Sequence, residues 1–382
     1  MILAIEKINI ENFLELAKDH LMIDVRSPEE YKYAHIPSAF NLPLFTDEER
    51  KIVGTTYKQQ SREAAIKIGL EFFGPKMKRI VEETESIVKS RESGVIDSRL
   101  RTSDSVLIYC WRGGMRSAGV AWLLDLYGFK VYTLVGGYKK FRRYVLEIFK
   151  LPFHFKLLGG YTGSGKTEVL KELQKKRETI IDLEAIANHK GSAFGNIGMP
   201  EQPGQEMFEN ILAQELRSKS IMNSQLSMEK SEYIHSQLSI HHSPIWLEDE
   251  SQRIGLVNIP NDLWNTMRKS PLYFLNIPFE ERLKHIAHEY GDLDKQKMID
   301  AIGRIRERLG GLNTKNAIHF LEKGNVPESF RILLKYYDKH YLKALHNREN
   351  INSLLEMIDC DSVTIENTNK LVSQPQYHSE NH

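Results

Sequence analysis

Short apolar runs recur along the chain, and segments with helical spacing of apolar residues follow several of them. Residues 105–109 form such a run, and residues 117–124 after it place apolar side chains on one helical face. Residues 155–158 and 271–275 are further apolar runs of strand length. Strands that alternate with helices are typical of parallel sheets, so the pattern predicts an α/β fold.

The pattern forms two blocks, and the chain of 382 residues is long enough for two domains with separate cores. We predict a parallel-sheet domain over residues 1–148, with a helical insertion at about 46–102. A second α/β domain is predicted over residues 149–366, and its last part has helical spacing. Residues 367–382 are polar, which predicts a disordered tail.

Composition narrows the class of protein. Hydrophobic residues make up 41% of the chain and charged residues 27%, the proportions of a soluble globular protein. The two cysteines, Cys110 and Cys360, do not suggest a disulfide framework and favour a reducing cytoplasm. We find no signal peptide and no membrane-spanning run, so we expect a cytoplasmic protein without a membrane partner, and a monomer. Because the formal net charge is +1, any nucleic-acid surface must be local.

Cys110 lies in a loop rich in glycine and arginine, between a predicted strand and a predicted helix. In such a loop the backbone amides and the helix N-terminus point inward and can hold an anion. Positive charge from Arg112 and Arg116 favours the thiolate, which is the nucleophilic form of cysteine. The alternative is an inert buried cysteine. We predict Cys110 as a catalytic residue, in an anion loop that comprises Trp111, Arg112, Gly113, Gly114, Arg116 and Ser117.

Residues 160–167 match the phosphate-binding pattern G-x-x-x-x-G-K-T and predict a P-loop NTPase-like second domain. The match lies between a predicted strand and a predicted helix, where glycines let the backbone wrap around phosphates. Lys166 would neutralise phosphate charge, and the Thr167 hydroxyl is a suitable Mg²⁺ ligand. A glycine loop without a phosphate ligand is the alternative. The predicted diphosphate-binding residues are Gly160, Thr162, Gly163, Ser164, Gly165, Lys166 and Thr167.

Acidic residues follow two further apolar runs of the second block. Asp182 ends one run, and Glu248 and Glu250 end the other. An acidic residue at the end of a strand beside a P-loop commonly holds Mg²⁺, directly or through water. We therefore predict a Mg²⁺ site among Thr167, Asp182, Glu248 and Glu250, with the alternative that some of these carboxylates are only solvated.

Several basic segments are candidates for RNA contacts. Residues 137–144 and 333–341 mix basic and aromatic side chains, which suits phosphates and unstacked bases, although aromatics at helical spacing are more often core. Arg304, Arg306 and Arg308 cannot share one helix face, so at least one is expected to meet a phosphate or an acidic partner. For residues 137–144 the alternative is a helix that packs the domains together with its charges in water. The candidate RNA-binding residues are Lys139, Lys140, Arg142, Arg143, Arg304 and Arg308.

The first block resembles the rhodanese family. The shared pattern comprises Asp24-Val25-Arg26, Glu30-Tyr31, His35-Ile36-Pro37 and the Cys110 loop, in that order. Ala34 and Ser38 stand where rhodaneses usually have glycines. The resemblance implies a rhodanese-like fold in which Cys110 is the reactive cysteine. Five residues separate Cys110 from Arg116, as in phosphatases of this fold, whereas thiosulfate sulfurtransferases usually have one fewer. This spacing suits a phosphate-like anion.

A rhodanese-like domain fused directly to a P-loop domain resembles the bacterial tRNA 2-selenouridine synthases. Further matches are residues 54–58, 191–195, 202–203, 208–210, 308–311 and 336–338, and the likeness covers about residues 5–345. The resemblance implies conversion of wobble 2-thiouridine in the tRNA anticodon to 2-selenouridine. It implies geranyl diphosphate at the P-loop and selenophosphate at Cys110 as co-substrates, with selenium carried as a Cys110 S–Se species. Mg²⁺ is the inferred metal, and a selenophosphate-producing enzyme is a candidate partner.

Three other functions stay open at this point. An ATP-dependent sulfurtransferase would use the P-loop for activation and would need no prenyl diphosphate. A cysteine phosphatase would need an acidic residue near the Cys110 loop as general acid, and it leaves the P-loop unexplained. A non-enzymatic RNA-binding protein would need neither Cys110 nor Lys166.

Overall fold

Apolar runs fold as buried strands in both halves of the chain. The computed structural model describes residues 5–92, 105–227, 244–291 and 293–372. The chain divides after residue 148, at the position where the sequence pattern placed the domain boundary. Within the described residues, each half contains a five-stranded parallel sheet, which confirms the α/β fold.

The sheet of the first half has the order β1-β5-β4-β2-β3, and all its neighbouring strands are parallel. Every residue of β2 and β4 is buried, because helices cover both faces of the sheet. The elements of this half are β1 (Glu6–Ile8), α1 (Ile10–Leu16), β2 (Leu21–Asp24), α2 (Pro28–Tyr33), β3 (Phe40–Asn41), α3 (Asp47–Gln59), α4 (Arg62–Phe73), α5 (Met77–Glu92), β4 (Ser105–Tyr109), α6 (Met115–Tyr127), β5 (Lys130–Leu134) and α7 (Gly137–Ile148).

Helices α3, α4 and α5 occupy most of the predicted insertion at 46–102. Phe73 and Ile80 from this segment are 6% and 0% exposed and belong to the same apolar core as Ile108 of β4. The segment therefore contributes to the core of the domain and is not only a solvated addition. Its last part, residues 93–102, lies outside the described residues.

A buried ion pair joins the end of β2 to the turn that follows α2. Asp24 and Arg26 are 0% and 1% exposed, and Arg26 Nη2 donates to Asp24 Oδ2 at 2.6 Å. The same Nη2 donates to the carbonyl oxygen of Ala34 at 2.7 Å. In the turn, Ser38 has a φ of 71°, in the left-handed region that favours glycine, whereas Ala34 has extended backbone that any residue adopts. Only one of the two replaced glycines therefore carries backbone strain.

The sheet of the second half has the order β12-β11-β6-β8-β7, again with all neighbours parallel. Its elements are β6 (Phe155–Gly160), α8 (Lys166–Lys175), β7 (Thr179–Ile181), α9 (Leu183–Ala187), α10 (Gln205–Ser227), β8 (Ile245–Glu248), an antiparallel pair β9 (Arg253–Ile254) and β10 (Val257–Asn258), α11 (Asn261–Arg268), β11 (Leu272–Asn276), α12 (Phe279–Tyr290), α13 (Lys295–Arg304), α14 (Arg306–Leu309), α15 (Gly311–Glu322), α16 (Val326–His346), α17 (Ile351–Leu354), β12 (Leu355–Asp359) and α18 (Thr368–Val372).

Strand β6 is the central strand, and the P-loop follows it directly. Strand β8 pairs with β6 in parallel, so the carboxyl ends of both strands lie at one edge of the sheet. The acidic residues after β8 are therefore brought beside the P-loop. Helices α12 to α16 form a separate apolar core around Phe330 and Leu333, in the region predicted to be helical. Among the described helices, none combines the length and apolar character needed to cross a bilayer.

The prediction of a disordered tail from residue 367 is wrong for its first residues. Asn367 is 5% exposed, and α18 follows it with Thr368 at 0% and Leu371 at 2%. Leu371 packs in the core that includes Leu170 of α8. One leucine in a polar segment was too weak a signal to predict this helix. Residues 373–382 lie outside the described residues.

The ion pair of Asp24 and Arg26 predicts a large effect on stability. Asp24→Ala leaves the Arg26 guanidinium buried without a counter-ion, so we expect the free energy of unfolding of the first half to fall by about 3–5 kcal/mol. Urea unfolding of the full chain, followed by hydrogen exchange of the amides in β2 and β4, measures this loss. As the control, Glu15→Ala removes an exposed pair with Lys18 and should change stability by less than about 1 kcal/mol. Equal effects of the two variants would contradict the prediction.

Candidate functional sites

Cys110 lies at the end of β4, in the loop that leads to α6, and is only 3% exposed. Its Sγ lies 3.2 Å from Ser117 Oγ, which in turn donates to the carbonyl oxygen of Gly114 at 3.1 Å. A serine hydroxyl has one proton to donate. The thiol therefore donates to Ser117 in this arrangement, whereas a thiolate would draw the Ser117 proton toward sulfur. Ser117 can thus stabilise either state of the cysteine.

The start of α7 closes against the Cys110 loop. The amide of Tyr138 donates to the carbonyl oxygen of Cys110 at 2.9 Å, and the amide of Lys139 donates to that of Trp111 at 3.0 Å. Gly137 has a φ of 57°, and a Cβ there would lie 2.2 Å from the Cys110 carbonyl oxygen. Glycine is required at this position by both conformation and space. The start of α7 therefore fixes the backbone of the loop at Cys110 and Trp111.

The buried ion pair at the end of β2 also supports this loop. The Arg26 guanidinium carbon lies 4.0 Å from the ring centroid of Tyr138, a cation–π contact. The Tyr138 ring lies 5.7 Å from that of Trp111 in the loop and 6.4 Å from that of Tyr109 before it. The Asp-Val-Arg segment thus contacts the Cys110 loop through Tyr138 and also through Tyr109, whose ring lies 5.8 Å from the Arg26 guanidinium carbon.

Arg116 has a carboxylate partner within the first half. Its Nη1 and Nη2 donate to the two carboxylate oxygens of Glu30 at 2.5 and 3.3 Å, and Arg50 lies 3.6 Å from the same carboxylate. Burial opposes ionisation of Glu30, but the hydrogen bonds from Arg116 outweigh it and hold the pKa of Glu30 below its usual value. An ionised Glu30 is unsuited to the general-acid role that a phosphatase requires near this loop. Arg112 is the exposed cation of the loop.

Two cationic side chains donate hydrogen bonds to backbone carbonyl oxygens of the P-loop in the second half. Lys166 Nζ donates to the carbonyl oxygen of Gly160 at 3.3 Å. Arg282, which is 2% exposed, donates to the carbonyl oxygen of Thr162 at 3.0 Å and forms a two-pronged ion pair with Asp338 at 3.0 and 2.8 Å. Ser164 Oγ is buried and has no protein partner. A ligand oxygen would satisfy it.

Three carboxylates converge beside the P-loop. One oxygen from each of Glu184, Glu248 and Glu250 lies within 4.8 Å of the others. Thr167 Oγ1 lies 3.0 Å from Glu248 Oε1 and 3.4 Å from Glu184 Oε2. Burial, followed by repulsion from neighbouring carboxylates, raises the pKa of Glu184 to about 10 and that of Glu248 to about 8, and burial also raises the pKa of Glu250.

This group of oxygens fits a divalent cation. Mg²⁺ takes oxygen ligands, and here three carboxylates and a hydroxyl lie together. Glu248 Oε2 is fully buried without a protein partner, so the site has one oxygen that a cation or a water would satisfy. Thr167, Glu248 and Glu250 were candidates from the sequence. Glu184 was missed because it lies inside α9; its position two residues after Asp182, in the first turn after a strand, was the available signal.

The other acidic residues near this site have structural partners. Asp182 Oδ1 accepts the amide of Ala185 at 2.8 Å and caps α9, and it does not join the group of converging carboxylates. Its role as a metal ligand stays a prediction. Asp249 accepts the Tyr341 hydroxyl at 2.7 Å and Arg348 Nη1 at 3.1 Å. Asp249, which belongs to the acidic run after β8, therefore connects the end of β8 to Tyr341 of α16.

A cavity of about 690 Å³ opens at the P-loop. The P-loop and Glu184 and Glu250 line one part of it. The remaining lining includes the aromatic residues Trp264, Tyr290, Tyr336, Tyr337, His340 and Tyr341, together with charged side chains such as Lys190, Arg268 and Glu289. The Gly191 backbone lies against Glu250, since a Cβ there would lie 2.4 Å from Oε2, and the nearby amide of Ala193 donates to the Tyr337 hydroxyl at 3.3 Å. The cavity thus brings aromatic rings and charged side chains together beside the P-loop.

Two family models match the chain. Residues 153–358 match the tRNA 2-selenouridine synthase AAA domain, and residues 10–144 match the rhodanese-like domain. A tRNA 2-selenouridine synthase from Bdellovibrio bacteriovorus is 32% identical over 369 residues, covering 86% of this chain and 89% of that protein. One from Hydrogenovibrio crunogenus is 34% identical over 351 residues, covering 84% and 88%. The chain belongs to the tRNA 2-selenouridine synthase family.

Membership of the tRNA 2-selenouridine synthase family makes the chain a transferase of tRNA modification, as the resemblance implied. The match covers both domains, so it accounts for the P-loop as well as for the Cys110 loop. A cysteine phosphatase and a non-enzymatic RNA-binding protein are left without support.

The basic residues proposed for RNA contacts differ in their surroundings. On α7, Lys139, Lys140 and Arg143 are exposed, and Arg142 is half-buried with an interaction partner. Helix α13 ends at Arg304, whose Nη2 donates to the carbonyl oxygen of Ala193 at 2.9 Å. Arg304 thus has a structural contact that the sequence did not suggest. Arg308 is exposed and lines the cavity at the P-loop. Contacts of all these residues with RNA stay predictions.

The convergence of Glu184, Glu248 and Glu250 predicts that these residues, and not Asp182, bind a divalent metal ion. Glu248→Gln removes one ligand charge, so we expect Mn²⁺ affinity, measured by electron paramagnetic resonance of the free ion, to fall about tenfold or more. Asp182→Asn keeps an oxygen that caps α9 and should change the affinity less than about threefold. A larger loss of Mn²⁺ affinity in the Asp182 variant than in the Glu248 variant would make Asp182 the ligand and contradict the assignment of Glu248.

Proposed function

We propose that this enzyme converts 2-thiouridine at the wobble position of tRNA into 2-selenouridine in two steps. The first step alkylates the sulfur with geranyl diphosphate in the cavity at the P-loop, and the second replaces the alkylated sulfur with selenium from selenophosphate at Cys110. The observation that carries the proposal is the lining of the P-loop cavity, where Trp264 and four tyrosines lie in one cavity with the phosphate-binding loop. An ATP-dependent sulfurtransferase would also combine a P-loop with a reactive cysteine, but it gives the aromatic side chains of the cavity no role in holding a prenyl chain.

The order of the steps follows from leaving-group chemistry. The sulfur of 2-thiouridine is doubly bonded to C2 and is a poor leaving group. Once alkylated, it becomes a thioether of an isothiourea, and C2 can accept a nucleophile and expel a thiol. Prenylation therefore prepares the base for selenium substitution.

In the first step, the P-loop residues bind and orient the diphosphate. Lys166 and the loop amides neutralise its charge, and Ser164 Oγ offers a hydrogen bond to a phosphate oxygen. A magnesium ion held by Thr167, Glu184, Glu248 and Glu250 would supply further positive charge to the departing diphosphate. The aromatic side chains of the cavity hold the prenyl chain and exclude water from the allylic carbon. Pyrophosphate is the leaving group, so no phosphoryl group is transferred.

In the second step, the Cys110 thiolate attacks the selenium of selenophosphate. A sulfur–selenium bond forms, the selenium–phosphorus bond breaks, and its electron pair leaves with phosphorus as phosphite. The terminal selenium then attacks C2, and geranyl thiolate departs. A cellular thiol next attacks the Cys110 sulfur and expels 2-selenouridine as its selenolate, which leaves a mixed disulfide on Cys110. A second cellular thiol reduces this mixed disulfide, which restores the Cys110 thiol and releases the two thiols as a disulfide. The loop amides and Arg112 hold the phosphorus oxyanion, and Ser117 stabilises the thiolate.

Cys110→Ser should stop the second step only. We expect 2-selenouridine to disappear and S-geranyl-2-thiouridine to accumulate, as measured by mass spectrometry of nucleosides from cells that carry the variant. Cys360→Ser is the matched control. Cys360 is also a free, buried cysteine, but in the sequence it lies outside both the Cys110 loop and the P-loop. Undiminished 2-selenouridine in the Cys110 variant would remove the cysteine from the mechanism. In addition, phosphorus-31 spectra should show phosphite; phosphate as the immediate product would contradict the sulfur–selenium intermediate.

Lys166→Ala should block the first step, because the diphosphate loses its main cationic partner in the loop. We expect both geranylated and selenated nucleosides to fall by at least about 100-fold, a loss of the size seen when one preorganised charge-stabilising group is removed. Lys175→Ala on the same helix, where Lys175 is exposed and paired with Glu172, is the control and should retain both products. Normal geranylation without the Lys166 ammonium would make the loop structural.

A further inference from the structure

Helix α16 has a row of lysines on one exposed face. Lys335, Lys339 and Lys343 are exposed and follow each other at intervals of four residues. This spacing places side chains on the same side of a helix, at steps of about 6 Å along its axis. The row is therefore a continuous basic strip about 12 Å long.

These lysines form no close ion pairs, unlike two arginines of the same region. Arg331 pairs with Glu280 and Arg282 pairs with Asp338. Within the described part of the chain, Lys335, Lys339 and Lys343 have no carboxylate within 4.0 Å, and Lys335 has only a coulombic interaction with Glu280. Like charges four residues apart on a helix repel one another, so the row is unfavourable for the free protein. A polyanionic partner would remove that repulsion.

Lys339 and Lys343 lie beside residues that line the P-loop cavity. They follow the cavity-lining residues Tyr336 and His340 by three positions, and residues three apart are neighbours on a helix surface. The rings of Tyr336 and His340 lie 4.5 Å apart, centroid to centroid, with an angle of 58° between their planes. Arg308, another exposed cation, lines the same cavity. Cations beside aromatic rings are the combination that single-stranded nucleic acids bind.

We infer that Lys335, Lys339 and Lys343 bind phosphates of a single-stranded stretch of the tRNA, and that Tyr336 and His340 receive the base that enters the cavity. The inference rests on the proposed function, since prenylation at the P-loop requires the thiouridine sulfur to reach that cavity. It adds the surface by which the second half recognises RNA. An acidic protein would also suit the lysines, but it would leave the adjoining ring pair without a role.

The lysine row is tested by the variant Lys335→Ser, Lys339→Ser, Lys343→Ser in the full chain. We expect the slope of log affinity for tRNA against log salt to fall in magnitude by about two, since each phosphate contact on a single strand contributes about 0.7. At 0.15 M salt this corresponds to an affinity loss on the order of 50-fold. Pyrophosphate affinity should stay as in the wild type, which shows that the P-loop domain is folded.

The control variant Lys175→Ser, Lys176→Ser, Lys297→Ser removes the same charge from other exposed positions of the second half. It should keep the wild-type slope, and an equal loss in both variants would overturn the inference. An unchanged slope in the row variant would also overturn it, while leaving the proposed function intact. Absence of tRNA binding by the wild type would overturn both. If polyglutamate binds the wild type and only its affinity falls in the row variant, the partner is a protein and the inference is wrong.

The ring pair is tested separately by Tyr336→Ala and Tyr336→Phe. Stacking does not release counter-ions, so Tyr336→Ala should lower the affinity for a 2-thiouridine stem-loop about fivefold or more without changing the salt slope. Tyr336→Phe keeps the ring and should bind as the wild type does. Loss of affinity in both variants, or in neither, would overturn the role of Tyr336 in stacking.

Discussion

The second half of the chain depends on holding three carboxylates together in one buried corner. Glu184, Glu248 and Glu250 repel one another, and burial weakens their solvation, so their pKa values rise. The surrounding structure is arranged to retain them. Thr167 from the P-loop helix approaches from one side and the Gly191 backbone from another. In its charged form, such a group of carboxylates is stabilised by cations, and Lys166 already supplies one positive charge nearby.

The first half meets the opposite requirement, because its loop must attract an anion. Asp24 and Arg26 are paired with each other below the loop, and Arg116 is paired with Glu30 beside it. Because of these pairs, most charged side chains around Cys110 are already neutralised by a partner of opposite charge. The attraction for an oxyanion then comes mainly from loop amides, whose orientation depends on the start of α7 packing against the loop. In the proposed mechanism, the geometry of this loop would therefore contribute more to anion binding than its net charge.

Sequence reasoning succeeded where the relevant residues are contiguous. The Cys110 loop and the P-loop each lie between a strand and a helix, and each pattern spans fewer than ten residues, so both could be identified from the sequence. The predictions failed for features that depend on packing between residues distant in the sequence. Helix α18 is stabilised by the packing of Leu371 in the core that includes Leu170 of α8. Arg304 donates a hydrogen bond to the carbonyl oxygen of Ala193. Glu184 joins the acidic group because β7, which precedes it, pairs in parallel with β8, and its position in the first turn after a strand was the only local signal of this.

The depth of Cys110 has a consequence for cellular chemistry. At 3% exposure, the thiol offers little surface to solvent. A small inorganic oxyanion approaches such an atom more readily than a bulky tripeptide thiol such as glutathione does. In the mechanism proposed above, selenium attached to this sulfur would share that shielding, so its premature reduction by the abundant thiols of a cell would be slow.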